Sequence, residues 1–170
     1  MKIITALLQH DRIITENSDA ARHLGKRYGT KLADGRVSLS PVEALYLIEK
    51  KRLLVVDGKN KQLSFARLVL KLKRNKHLWI NFIVYRDLSN RGYAVKTGLK
   101  FGADFRVYDP DSDDPHAKWL VATVRAQDRL SWQEFSSKNR VATSTHKKLL
   151  IAIVDDEDSV TYWETSWIKP

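Results

Sequence analysis

The stretch Phe105 to Trp119, FRVYDPDSDDPHAKW, sets Tyr108 and His116 on either side of an acidic, proline-bracketed loop. A phenol and an imidazole can both give and take protons. The loop admits three readings: a surface turn, a cation site, or a carrier that brings Tyr108 and His116 to the mouth of one active site. Spacing tests the cation reading. Asp109, Asp111 and Asp113 match the first ligand positions of a calcium loop. Position six, which must be Gly, is Asp114, and position twelve, which must be a bidentate Glu, is Leu120. The loop is therefore read as a flexible carrier that holds no metal.

The surrounding charge points to a partner. Thirty Lys and Arg stand against 20 Asp and Glu, for a net charge of +10 in 170 residues. Such a surface suits a polyanion, above all a nucleic acid gripped through its phosphates. The cations cluster in Lys50 to Arg52, Lys71 to Lys76, Arg86 to Lys100 and Arg140 to Lys148. The acids segregate into Asp109 to Asp114 and Asp155 to Asp158. With 43% hydrophobic and 29% charged residues, the composition is that of a soluble globular chain. Cysteine is absent, which excludes disulfides and thiolate metal sites. No apolar run approaches the roughly 20 residues that span a bilayer. The opening MKIITALLQHDRIITEN lacks a secretory cleavage pattern, and a cytoplasmic location is expected.

The elements that must position Tyr108 and His116 follow from periodicity and caps. Lys2 to Thr15 is β-like, and Ser18 or Asn17 caps a short helix over Asp19 to Lys26. Leu32 to Leu39 reads as a hairpin with an Asp34-Gly35 turn. Ser40, Pro41 and Glu43 form a capping box with Pro at N1, opening a helix with apolar Ala44, Leu45, Leu47 and Ile48. A strand over Arg52 to Val56 precedes a helix capped by Ser64. A third helix spans Trp79 to Leu88. After Gly92 the period changes to β, through YAVKTGLKFGADFRVY and HAKWLVATVRA. Ser131 and Glu134 start another helix, reaching about Ser144. KLLIAIV (Lys148 to Val154) reads as a buried central strand. Asp155 to Asp158 is a turn, and Val160 to Ile168 a last strand. The expected architecture is α+β to α/β: a small N-terminal α+β domain over 1–91, then a β-rich domain over 92–170 with a mixed central sheet flanked by helices.

The order DLSNRGYAVKTGLKFGADF, from Asp87 to Phe105, resembles the signature of the archaeal tRNA-splicing endonuclease family. A Tyr after the strand, a His after a polar loop and a Lys before an apolar strand ended by Val-Asp complete it. This chain supplies Tyr108, His116, Lys147 and Val154-Asp155 in that order. The resemblance implies a restriction-endonuclease-like C-terminal domain and cleavage of precursor tRNA at bulge–helix–bulge intron boundaries. It implies no metal or cofactor, and products ending in a 2′,3′-cyclic phosphate and a 5′-hydroxyl. RNA cleavage needs a base for the 2′-hydroxyl, an acid for the 5′-oxygen and a cation for the phosphoryl charge. The resemblance gives those roles to Tyr108, His116 and Lys147. A tyrosine with a pKa of about 10 needs a cation nearby to act as a base at neutral pH. Strand alternation alone does not choose between Lys147 and Lys148; the resemblance favours Lys147 and passes over His146.

The resemblance also implies that Arg140 and Trp167 sandwich a bulge base, a usual grip on unstacked nucleotides. It further implies that Asp155, Asp156, Glu157 and Asp158 join subunits. A heterotetramer of two catalytic and two structural subunits is expected, with a homotetramer as alternative. The rival readings are a non-catalytic structural subunit, a basic RNA-binding module, and a Mg-dependent restriction-endonuclease-like nuclease that holds carboxylates on adjacent strands.

Overall fold

The computed structural model describes residues 3–112 and 114–168. Lys2 and Asp113, each part of a sequence expectation above, lie outside the described residues. The chain forms two compact units, residues 1–82 and 83–170.

In the first unit, β1 (Ile4–Gln9) and β2 (Arg12–Thr15) form an antiparallel hairpin. The β-like stretch at the N-terminus is thus two strands. Its polar break supplies the turn, with His10 at φ 56°. Helix α1 (Asp19–Leu24) is capped by Ser18, whose side chain accepts from Ala21 N. Strands β3 (Thr30–Lys31) and β4 (Val37–Leu39) form the expected hairpin, with a five-residue connection. Gly35 in it has φ 85°. Helix α2 (Pro41–Glu49) leads to β5 (Leu53–Val56), and β6 (Gln62–Leu63) to α3 (Phe65–Lys71), capped by Ser64. The sheet order is β3-β4-β2-β1-β5-β6, with β1 and β5 parallel.

Glu43 organises this unit. It is buried, yet both carboxylate oxygens are engaged. Oε2 accepts from Ser40 N and Ser40 Oγ, each at 2.8 Å, completing the capping box. Oε1 accepts from Gly29 N at 2.7 Å, tying the α1–β3 turn to α2. Gly29 itself has φ 63°, and a Cβ there would lie 2.5 Å from Ser38 O.

Helix α4 (Leu78–Asn90) contains the division between the units, so the structural boundary precedes the change of period at Gly92. The second unit continues with β7 (Ala94–Thr97), β8 (Phe105–Tyr108), β9 (Trp119–Arg125), α5 (Trp132–Ser144), β10 (Lys148–Val154) and β11 (Val160–Thr165). The β-like run after Gly92 is broken by a 3₁₀ turn at Leu99–Phe101. Gly98 and Gly102 cause the break. A Cβ on Gly98 would meet Ala103 O at 2.8 Å, and Gly102 is left-handed. Sheet order is β11-β10-β9-β8-β7, mixed, with β9 and β10 parallel and the other pairs antiparallel. KLLIAIV is interior, as expected, but the middle strand is β9. The last strand ends at Thr165 rather than Ile168.

Helix α5 covers one face, over Ala103, Leu120, Ala122 and Leu149. The α4 segment after Phe82 serves the other elements of this unit. Tyr85 stacks at a tilt on Phe105, 5.9 Å between centroids. Asp87 Oδ2 accepts from Arg91 Nε and from Tyr162 OH, both at 2.8 Å. Gly92 (φ 97°) then turns the chain, and Tyr93 meets Trp119 edge-on at 5.3 Å.

Glu43→Ala removes the acceptor for two backbone amides at once. A loss of about 2–4 kcal/mol is expected, since each buried donor left unsatisfied costs roughly 1–3 kcal/mol. Urea denaturation followed by circular dichroism measures it; a loss under about 0.5 kcal/mol would show that water replaces the carboxylate.

Candidate active site

Three strand ends meet at one edge of the second sheet. Val107 on β8 pairs with Trp119 on β9, and Trp119 with Lys148 on β10. One residue further toward that edge stand Tyr108, Lys118 and Lys147. Backbone bonds hold this last row: Lys118 N donates to Val107 O at 2.9 Å and Lys148 N to Lys118 O at 3.1 Å. Directly paired residues share a face and successive ones alternate. Arg106 pairs with Leu120 and Leu120 with Leu149, so Arg106 and Tyr108 belong to the face that α5 covers.

The two lysines separate cleanly. Lys148 Nζ pairs with Glu164 Oε1 at 2.5 Å, while Trp119 Nε1 donates to Glu164 Oε2 at 2.7 Å. Those contacts hold Glu164 below the ordinary carboxylate range, Lys148 contributing most. Lys147 instead follows α5 directly. Its N–H closes the helix end on Ala142 O at 2.8 Å, and Nζ donates to Thr145 O at 2.7 Å. The ammonium lies 5.4 Å from the centroid of the Phe101 ring, which packs on the α5-side core. His146 makes the turn before it, at φ 55°.

Phe101 is placed by the glycine-bracketed turn described above. Asp104 finishes that turn: its Oδ2 accepts from Thr123 N at 2.9 Å and its own N–H donates to Val121 O at 2.9 Å. Within GLKFGADF it is thus Phe101 that lies against Lys147.

Asp109 and Asp114 make contacts on either side of the acidic loop. Asp109 Oδ2 accepts from Lys118 Nζ at 2.8 Å, and its Oδ1 from Asp111 N at 3.2 Å. Ser112 Oγ accepts from Asp114 N at 3.1 Å. Asp114 Oδ1 accepts from His116 N and faces His116 Nδ1, both at 2.8 Å. The His116 amide and imidazole hold Asp114 below the ordinary carboxylate range, and Lys147 adds a weaker pull. Asp109 is lowered likewise, by Lys118 first and the Asp111 amide second. With Nδ1 turned to Asp114, Nε2 is the ring atom left for a reacting group. His116 is open to solvent, its side chain 76% exposed. Asp114 is a functional candidate that sequence reasoning missed. The signal was present in the Asp-x-His spacing, because an Asx turn reaches the residue two positions on.

Arg140 lies exposed on α5, and Trp167 is 65% exposed beyond β11. No cation–ring contact joins them among the described residues. Thr165 Oγ1 donates to Asn139 Oδ1 at 2.9 Å, which brings their two segments side by side. At the Asp155 to Asp158 turn, Asp155 Oδ1 accepts from the N–H groups of Glu157 and Ser159, both at 2.9 Å. Asp155 is therefore part of the turn, while Asp156 and Glu157 extend into solvent. The strand that follows, β11, is a sheet edge with Trp163 62% exposed. Among the described residues no three His, Asp or Glu side chains converge as a metal site.

Comparison with known proteins adds to this geometry. Residues 4–69 match the N-terminal domain of tRNA intron endonuclease, and residues 78–162 its catalytic C-terminal domain. The chain is 43% identical to the tRNA-splicing endonuclease of Methanococcus vannielii, across 99% of this chain and 96% of that protein. It is 39% identical to the tRNA-splicing endonuclease of Thermococcus kodakarensis, across 98% and 99% respectively. For the tRNA-splicing endonuclease of Pyrococcus furiosus the figure is 37%, across 98% of both. Matched in both domains and along nearly its whole length, the chain belongs to the tRNA intron endonuclease family, enzymes that excise introns from precursor tRNA.

Proposed function

We propose that the chain is the catalytic subunit of a cytoplasmic tRNA-splicing endonuclease that cuts precursor tRNA at bulge–helix–bulge intron boundaries without a metal ion. Residues 92–170 form its nuclease domain and 1–91 its N-terminal domain. Tyr108 takes the 2′-hydroxyl proton as the 2′-oxygen bonds to phosphorus. His116 protonates the 5′-oxygen as the P–O5′ bond breaks. Lys147 faces the charge that develops on the non-bridging oxygens. The products end in a 2′,3′-cyclic phosphate and a 5′-hydroxyl. The observation that carries this reading is the common row: Tyr108 and Lys147 flank Lys118 at one sheet edge, with His116 two residues before Lys118. Asp114 supports His116 by fixing its ring.

The bulge is held between Arg140 and Trp167, whose segments the Asn139–Thr165 bond keeps adjacent. Asp156 and Glu157 extend from a turn that Asp155 stabilises, and the loop of Asp155, Asp156, Glu157 and Asp158 enters a basic groove of another subunit. An acidic projection would otherwise repel the RNA. The β11 edge, with its exposed Trp163, pairs two subunits. The assembly is a tetramer, with two catalytic and two structural subunits favoured over four copies of this chain.

His116→Ala and Lys147→Ala are expected to slow cleavage of a bulge–helix–bulge RNA about 10²–10⁴-fold with little change in affinity. Tyr108→Phe tests the proton transfer alone. Cleavage lost to EDTA would favour the metal nuclease; an inactive Lys148→Ala beside a normal Lys147→Ala would move the assignment by one residue. Arg140→Ala is expected to weaken binding or misplace the cut, and unchanged cutting by both Arg140→Ala and Trp167→Ala removes the sandwich. Replacing Asp155, Asp156, Glu157 and Asp158 by Ser and Asn should lower the mass in solution measured with the partner present. A tetramer that persists across a range of salt leaves the loop as a turn only.

A further inference from the structure

Arg106 stands two residues before Tyr108 on β8 and so shares its face. Its strand partners are Lys96 on β7 and Leu120 on β9, neither of them an acid. The guanidinium carbon lies 5.9 Å from the centroid of the Tyr108 ring. The side chain is half-buried, and its Nε is enclosed without any hydrogen-bond acceptor among the described residues. Of the acids that follow β8, Asp109 pairs with Lys118 and Asp114 with His116.

A guanidinium keeps its charge under all ordinary conditions and presents five N–H donors in a fixed fork. Enclosing one of those donors without an acceptor is unfavourable. Such a group calls for a physical reason, and a ligand that brings the acceptor is one. Arg52, the other guanidinium with an enclosed Nε, lies in the N-terminal unit over the Tyr28 ring. Arg106 differs in its neighbour, the phenol proposed to take the 2′-hydroxyl proton; Lys147 precedes β10, on the same face two strands away.

We propose that Arg106 is a second phosphate-binding cation of the cleavage site, holding a non-bridging oxygen of the RNA phosphate that Lys147 also faces. This inference rests on reading Tyr108, His116 and Lys147 as that site. Attack by the 2′-oxygen spreads negative charge over two non-bridging oxygens. Lys147 already gives one N–H to Thr145 O, which limits what it can donate to the phosphate. The planar fork of Arg106 supplies donors in the geometry that phosphate prefers. Arg106 exchanges no proton. The 2′-hydroxyl proton goes to Tyr108, and the leaving 5′-oxygen takes its proton from His116.

The test compares Arg106→Met and Arg106→Lys with the unaltered protein, each in the assembled enzyme. Single-turnover cleavage is measured on a bulge-containing RNA. Binding is measured across a range of salt on the same RNA with a 2′-deoxy nucleotide at the cut. Arg106→Met is expected to slow cleavage about 10²-fold and to reduce the slope of log affinity against log salt by about one. Arg106→Lys is expected to restore the slope and part of the rate. A wild-type rate and slope in Arg106→Met overturns the proposal, and so does a slower rate with an unchanged slope, which marks a structural role. If Arg106→Met does not fold, Arg106→Gln carries the same two readouts. Wild-type cutting by Tyr108→Phe would sink the reading of the site instead. The slope measured on the uncut RNA would still report whether Arg106 holds phosphate.

Discussion

The parallel pairing of β9 with β10 is the constraint on which the candidate site depends. Parallel strands start at the same edge, so the residues that precede them are brought together whatever their distance in sequence. His116 and Lys118 lead into β9, and Lys147 leads into β10. Because β8 runs antiparallel to β9, its last residue, Tyr108, arrives at that same edge. An antiparallel β9–β10 pair would place the lysine at the far end of the sheet. The pairing in turn requires a crossover, and α5 provides it. Its capping box at Ser131 and Glu134 sets where it begins, and the turn at His146 sets where Lys147 emerges.

Around this edge, local electrostatics are settled in pairs. Lys118 answers Asp109, His116 answers Asp114 and Lys148 answers Glu164. Each pair is exposed and contributes little to stability by itself. Their effect is selective: they remove some charges from the site and leave others facing it. Lys148 is paired with Glu164, while Lys147 and Arg106 form no close ion pair among the described residues. In the loop that looked out of place in a basic chain, Asp109 and Asp114 are engaged by backbone amides, Lys118 and His116.

Much of the fold was legible because it is written in local chemistry. Ser40 with Glu43 and Ser131 with Glu134 announce their helices, and both capping boxes close as expected. Period and β-branching marked β10 as an interior strand. The hairpin at His10, the 3₁₀ turn at Leu99 and the rank of β9 were not legible. A turn inside a β-like run is decided by backbone packing, as at Gly98, where the space for a Cβ is already filled. The motif residues of the family were visible, but not their jobs. Asp87, Arg91 and Tyr93 couple α4 to β11 and β9 through Tyr162 and Trp119, partners that lie far along the chain. The separation of Lys147 from Lys148 required Glu164, sixteen residues beyond Lys148, which alternation within one strand does not reveal.

The α5 crossover also bears on time. A parallel pair cannot form until its long connection has closed, so β9–β10 pairing is slow compared with the hairpins on either side. β7 and β8 are neighbours in sequence and pair early; the edge that unites Tyr108 with Lys147 forms only when β10, near the C-terminus, docks. A chain still being synthesised therefore holds its phenol and imidazole before it holds its lysine. If Tyr108, His116 and Lys147 form the proposed site, that site is complete only once β10 has docked on β9.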